Sequence, residues 1–182
     1  MKIISGVYKG RRLEGFDIEG TRPTMDRVKE SLFAIIQNSI KDAIVLDLFA
    51  GSGNLGLEAL SNGAKYAYLV DKNKKAISTI KKNLDLLRVS NSIIFNCDYQ
   101  LALKNFFEKK IKFDLIFLDP PYKTDYIEKS ILLIDEYSLL NKNGMIICES
   151  DSLDKIVYNE SYICVKNRKY GDKYIVILKQ MW

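Results

Sequence analysis

The sequence predicts an α/β fold: a mostly parallel sheet with helices on both faces, ended by an antiparallel hairpin. Three observations predict it. Short apolar runs at 43–50, 64–70, 92–96, 113–118 and 145–148 alternate with amphipathic stretches at 54–62, 74–88, 99–109 and 126–137, the rhythm of strand–helix–strand units. Runs 161–168 and 172–179 are joined only by Lys169-Tyr170-Gly171, too short for a crossover helix, so they pair antiparallel and bring the strands to seven. The three prolines, Pro23, Pro120 and Pro121, all fall between these elements.

In chain order, residues 3–16 read as a short hairpin, Ile3-Ile4 against Arg12-Leu13, turning around Gly6 and Gly10. Thr21-Arg22-Pro23-Thr24 is a turn, with Thr24 as N-cap of a helix over 25–40. That helix places Val28, Leu32, Ile35, Ile36 and Ile40 on one apolar stripe. The division is thus a basic N-terminal hairpin over 1–23 and one α/β domain over 24–182. The first strand of that domain enters Gly51-Ser52-Gly53-Asn54-Leu55-Gly56, which opens a helix. The fourth enters Asp119-Pro120-Pro121-Tyr122, where two adjacent prolines fix a stiff, extended loop.

Composition narrows the chemistry. The 182 residues suit one domain, and 28 Lys+Arg against 23 Asp+Glu leave a net charge of +5. There is no histidine, which excludes Ser-His-Asp and Cys-His nucleophiles, an imidazole base and His-ligated zinc or iron. Cys97, Cys148 and Cys164 are too widely spaced for a CxxC pair and are expected as free thiols, two of them buried in strand-like runs. No apolar stretch approaches the roughly 20 residues of a bilayer crossing, and the N-terminus lacks a signal-peptide core. A cytoplasmic monomer without metal or membrane is the expectation.

The chemistry concentrates at the predicted carboxyl ends of the strands. Gly51, Gly53 and Gly56 follow the first strand, and Asp71 ends the second, twenty positions after Gly51. This is the context of a nucleotide-moiety pocket: glycines admit a ligand to the backbone and the carboxylate takes ribose hydroxyls. No Gly-Lys-Ser/Thr follows, so it is not a P-loop. A nicotinamide cofactor is compatible with the glycines, but Asp47 beside the loop suits an ammonium or sulfonium better than a pyrophosphate. Asp98 closes the third strand and doubles as a helix N-cap. Asp47, Asp71 and Asp98 match the ammonium, ribose and adenine of S-adenosylmethionine. Phe49, Ala50, Ser52, Lys72 and Tyr99 flank them and complete the candidate cofactor set, although Lys72 also reads as part of a solvated face with Lys74, Lys75, Lys81 and Lys82.

Asp119-Pro120-Pro121-Tyr122 supplies what methylation of an exocyclic base amine needs. The Asp119 carboxylate and the Pro120 carbonyl can accept from the two N–H bonds and free the nitrogen lone pair. Pro121 stiffens the loop, and Tyr122 offers a face for the base, worth roughly 1–3 kcal/mol in stacking. Catalysis then comes mainly from positioning in a dry site.

These segments together resemble the motif series of class I S-adenosylmethionine-dependent methyltransferases acting on amino groups. The N-terminal block narrows the likeness: Ile3-Ile4-Ser5-Gly6, Lys9-Gly10-Arg11 and the run from Thr21 to Phe33 resemble the bacterial family that methylates the N2 amino group of one guanine in 16S ribosomal RNA. The resemblance continues through Gly56-Leu57-Glu58-Ala59-Leu60-Ser61-Asn62-Gly63-Ala64, with Ser5 standing where a second glycine is usual and Asn54 where a small residue is common. It implies a Rossmann-like sheet of order 3-2-1-4-5-7-6, S-adenosylmethionine as methyl donor, and small-subunit rRNA in an assembling ribosomal subunit as partner. Lys9, Arg11, Arg12, Arg22 and Arg27 are then the candidate RNA contacts. The alternatives are a DNA adenine or cytosine amino methyltransferase, which generally carries a target-recognition insert, and a non-catalytic rRNA-binding assembly factor.

Overall fold

The computed structural model describes residues 1–15, 23–121 and 124–181, with only the backbone of 23–25. Arg22 and Tyr122 therefore lie outside the described residues. The chain runs α1 (Pro23–Ile36), β1 (Ile44–Asp47), α2 (Asn54–Ser61), β2 (Tyr66–Val70), α3 (Lys74–Leu87), β3 (Ser92–Phe95), α4 (Tyr99–Glu108), β4 (Phe113–Leu118), α5 (Tyr126–Glu136), β5 (Leu140–Ser150), β6 (Tyr162–Tyr170) and β7 (Lys173–Gln180). The sheet order is β3-β2-β1-β4-β5-β7-β6. β1 to β5 are parallel, and β7 lies antiparallel between β5 and β6. This is the order the motif resemblance implies. No described helix is long and apolar enough to cross a membrane.

Each face of the sheet carries its own apolar cluster. Phe117, Val45, Leu69, Ile147 and Ile175 pack with α1, α2 and α3. Leu46, Leu118, Ile116, Ile146 and Leu178 pack with α4 and α5. The alternation of odd and even positions between the two clusters is the period-two consequence of the strand. β1 and β4 sit mid-sheet and are buried on both sides, which is why their sequences read as near-continuous apolar runs. Each run carries one acid, Asp47 in β1 and Asp114 in β4; the Asp114 carboxylate accepts from Ile44 N at 2.8 Å and from Asn141 Nδ2 at 2.9 Å.

Several expectations shift. The first helix begins at Pro23, not Met25, because a first-turn position needs no N–H from proline; Thr24 is inside the helix, not its cap. It ends as α-helix at Ile36 and tightens into a 3-10 turn over Gln37–Ser39. Val28, Leu32, Ile36 and Ile40 are buried, but Ile35 is 37% exposed and Phe33 takes its place against Phe117, at 5.9 Å between ring centroids. β5 starts five residues earlier than Met145, with a register irregularity against β4 that accommodates Asn143 at φ 67°. Of the cysteines only Cys148 is buried; Cys164 is exposed because β6 is the sheet edge.

The N-terminal segment is a loop with one antiparallel bridge, Lys2 to Arg12, and not a pair of regular strands. It lies on the body of the protein, with Ile3 and Leu13 buried in the α1–α3 cluster. Gly6 has no alternative: its φ is +76°, and a Cβ there would stand 1.8 Å from the carbonyl oxygen of Ser61.

Candidate functional site

The carboxyl ends of β1, β2, β3 and β4 converge on one edge, where open α/β sheets bind ligands. The glycines there act by different means. Gly51 (φ +55°) and Gly53 (φ +81°, the N-cap of α2) adopt the left-handed backbone, and a Cβ on Gly51 would meet nothing within 4 Å. Gly56 serves packing: a Cβ there would come 2.3 Å from Leu69 Cδ2. The loop is tied on both sides. Asp71 accepts from Gly51 N at 2.9 Å and from Asn73 N at 2.8 Å, holding the β1 loop against the β2 end. The side chain of Asn83, inside α3, donates to the Ser52 carbonyl at 3.0 Å.

Asp47 is buried at 1% exposure, and its Oδ2 accepts from Gly56 N at 3.0 Å. Burial raises its pKa from 3.8 to about 7, opposed by the Gly56 hydrogen bond and reinforced by the Asp71 charge. A buried carboxylate that resists ionising beside other acids has a ready place for a cation. Between about pH 4 and pH 7 the folded chain keeps a proton on Asp47 that the unfolded chain has released, so this group's contribution to stability falls as pH rises. The expected loss is about 2 kcal/mol from pH 5 to pH 7. It should vanish in Asp47→Asn, as measured by urea denaturation across that range.

Asp98 caps α4 by accepting from Gln100 N at 3.0 Å. Beside it lies an aromatic set. Phe49 stacks on Tyr126 at 5.9 Å and 6°, Tyr99 lies 5.4 Å from Phe49 and 5.0 Å from Tyr126, and Lys72 Nζ stands 5.6 Å from the Tyr126 ring centre. Phe49, Tyr99 and Lys72 were legible from the strand ends. Tyr126, at the start of α5, was not, because nothing in its local sequence points to strands one and three. Ala50 is also placed at this edge, with its N–H bonded to the Val70 carbonyl at 2.8 Å.

Asp119 follows β4. Since Asp47 pairs with Phe117 in the β1–β4 ladder, Asp119 lies just beyond the neighbouring strand end. Burial and the Glu149 carboxylate hold its pKa well above the ordinary range, Asp47 adds to the rise, and Lys173 opposes it. Part of the residue remains open to solvent. Pro120 is buried and Pro121 exposed, and the Pro121 carbonyl accepts from Thr124 Oγ1 at 2.8 Å.

Residues 1–179 match the family described as conserved hypothetical protein 95. The chain belongs to that family. Proteins named ribosomal RNA small subunit methyltransferase D are among its relatives. The Haemophilus influenzae one is 36% identical over 94% of this chain and 89% of its own length, and the Escherichia coli K12 one 37% over 83% and 75%. YlbH of Bacillus subtilis is 43% identical over 83% of each chain. The solved structure of yhhF from Escherichia coli superposes with a TM-score of 0.85 at 31% identity, covering 99% of this chain and 97% of that one. Family membership therefore agrees with the motif resemblance.

The family's N-terminal block holds a network that the residue patterns did not disclose. Lys29, 4% exposed, forms an ion pair of 2.9 Å with Glu58, 0% exposed, and donates to the Lys2 carbonyl at 2.6 Å and to Asn54 Oδ1 at 2.7 Å. Glu58 also accepts from Ile4 N, Ser5 N and Ser5 Oγ at 2.9–3.1 Å. Asn54 and Ser5, which depart from the family's usual residues, are both partners in it. The available signal was a charge inside each apolar stripe, Lys29 in α1 and Glu58 in α2.

The basic candidates divide. Lys9, Arg11, Arg12 and Arg27 are exposed. The turn of the N-terminal loop is fixed to the far ends of two helices, through Val7 N to the Ser61 carbonyl at 2.8 Å and Arg11 Nη2 to the Leu86 carbonyl at 2.7 Å. Both helices start at the glycine-loop edge, so Lys9 and Arg11 are placed toward the opposite end of the domain, whereas Arg12 bridges to Lys2, whose carbonyl meets Lys29 beside Asn54, and Arg27 is in the second turn of α1.

Proposed function

We propose that this protein transfers a methyl group from S-adenosylmethionine to the N2 amino group of a guanine in small-subunit rRNA. The relatives' names support rRNA methylation, and the motif resemblance supports the guanine amine. The observation that carries the reading is that Asp119 and the buried Pro120 follow the strand end next to Asp47, with Asp47 and Asp119 close enough for their charges to interact.

The residues present fit the methyl donor. Asp47 would hold its ammonium and Asp71 its ribose. Asp98 would take the adenine amine, and Phe49, Tyr99 and Tyr126 the ring. Gly51 leaves the backbone open, Gly53 supplies the left-handed turn, and Ala50, Ser52 and Lys72 would complete the set. When bound, S-adenosylmethionine supplies an electrophilic methyl. The chain's task is to present the nucleophile. With the Pro121 carbonyl bonded to Thr124, the Pro120 carbonyl and the Asp119 carboxylate are the acceptors for the two amine N–H bonds. Directional acceptors on both hydrogens turn the lone pair out of ring conjugation, and the buried setting makes each bond stronger than in water. Tyr122 is proposed to stack on the extruded base.

We assign RNA binding to Lys9, Arg11, Arg12, Arg22 and Arg27, with residues 1–23 as the RNA-contacting segment and 24–182 as the catalytic domain. The protein is proposed to act as a cytoplasmic monomer on an assembling subunit. The test is methyl transfer from labelled S-adenosylmethionine to assembling small subunits, followed by digestion to nucleosides. Label in N2-methylguanosine is the expected result. Label only in DNA would overturn the assignment, and no label with retained subunit binding would indicate an assembly factor.

A further inference from the structure

One ion pair at the same sheet edge has no part in the chemistry described so far. Glu149 lies at the end of β5 and Lys173 opens β7, and their side chains form an ion pair with only 12% and 18% exposure. Such a pair is shielded from the solvent screening that makes surface pairs weak. The register brings it to Asp119. Leu118 pairs with Cys148 in the parallel β4–β5 ladder, so the next residues outward, Asp119 and Glu149, are neighbours on adjacent strands. Both share the α1 side of the sheet with Phe117 and Ile147. Glu149 in turn pairs with Ile175 in β7, two residues from Lys173 and on the same face.

We propose that Glu149 and Lys173 are positioning residues for Asp119, and that their ion pair holds Asp119 as the base that takes the proton of the methylated amine. This rests on the methyl-transfer reading above. In the step assigned to Asp119, the N–H bond breaks with its electron pair staying on nitrogen, and an O–H bond forms on the carboxylate. Among the described residues, the charges that act on Asp119 include Asp47 on β1, Glu149 on β5 and Lys173 on β7. Burial and the two acids raise its proton affinity and the ammonium limits the rise, which makes the carboxylate a stronger base toward the amine proton than an exposed one. Without Lys173, two neighbouring carboxylates would share the edge and Asp119 would hold a proton before the substrate arrived. Without Glu149, the Lys173 charge would no longer be balanced beside Asp119, which would become a weaker base.

The two variants therefore act in opposite directions, which a purely structural role would not produce. The ionisation of Asp119 is followed by carboxyl ¹³C NMR of the RNA-free protein, with the resonance assigned by its loss in Asp119→Asn. Lys173→Met should move the midpoint up, Glu149→Gln should move it down, each by roughly half a pH unit or more, and Lys173→Arg should restore the wild-type value. The acid limb of the single-turnover methyl-transfer rate should shift in the same directions. Shifts of the same sign, or none, in the NMR titration would overturn the inference. Opposite NMR shifts combined with a wild-type protein that methylates no RNA would leave the charge coupling standing and overturn the methyl-transfer reading instead. Urea midpoints confirm folding of each variant. If Lys173→Met does not fold, Lys173→Gln and Glu149→Gln carry the same two arms.

Discussion

Asp119→Ala should lower methyl transfer by about a thousandfold or more, while the dissociation constant for S-adenosylmethionine stays within about threefold. The proposed cofactor contacts come from other strand ends: Asp47 on β1, Asp71 after β2 and Asp98 after β3. Asp119 is proposed to act on the acceptor amine instead. Removing its carboxylate deletes one of two hydrogen-bond acceptors and the base, leaving Pro120 to orient the amine alone. Asp119→Asn separates these roles, since the amide oxygen still accepts a hydrogen bond but cannot take a proton. It should retain more acceptor binding than the alanine variant and recover little of the rate. Isothermal titration for the cofactor and single-turnover labelling for transfer measure the two quantities. Equal loss of both in Asp119→Ala would show that this residue builds the cofactor pocket.

Glu58→Ala should cost about 3–5 kcal/mol of folding stability, because it leaves the Lys29 ammonium buried without its counter-charge. Lys29 is 4% exposed, too little for water to replace the carboxylate, and Ile4 N, Ser5 N and Ser5 Oγ lose the same acceptor. The effect should be read as a shift of the urea midpoint with an unchanged slope. Glu58→Gln should cost less, since it keeps an acceptor for the backbone N–H groups and loses only the charge. A loss below about 1 kcal/mol for the alanine variant would show that the pair is solvated after all. The consequence extends beyond stability, because this pair joins α1, α2 and the N-terminal loop at Asn54, the first residue of α2 after the glycine loop.

Much of the fold was legible because its signals are local. Strands at the sheet centre are buried on both faces, so 43–50 and 113–118 are apolar apart from Asp47 and Asp114. Pro120 and Pro121 marked the end of the fourth strand and the short link before the last strand excluded a crossover, whereas Pro23 opens α1 and does not lie between elements. Boundaries were less legible where a neighbour decides them. The early start of β5 depends on its irregular pairing with β4, and the absence of regular strands among the described residues 3–15 goes with Glu58 and Ser61 taking the N–H groups of Ile4, Ser5 and Val7. Exposure of Cys164 and Ile35 likewise follows from which strand became the edge and how α1 rotated on the sheet.

The sequence by itself determined the strand–helix alternation, the glycine turn with its carboxylates at 47, 71 and 98, and the Asp119-Pro120-Pro121 loop, because each is written in consecutive residues or fixed by a strand end. Only the tertiary structure decided that Lys29 meets Glu58, that Tyr126 joins Phe49 and Tyr99, and that Glu149 and Lys173 stand beside Asp119. Those partners are far apart along the chain and become neighbours only when strand order and register are set. A side chain's charge environment is a property of that arrangement, which local pattern does not encode.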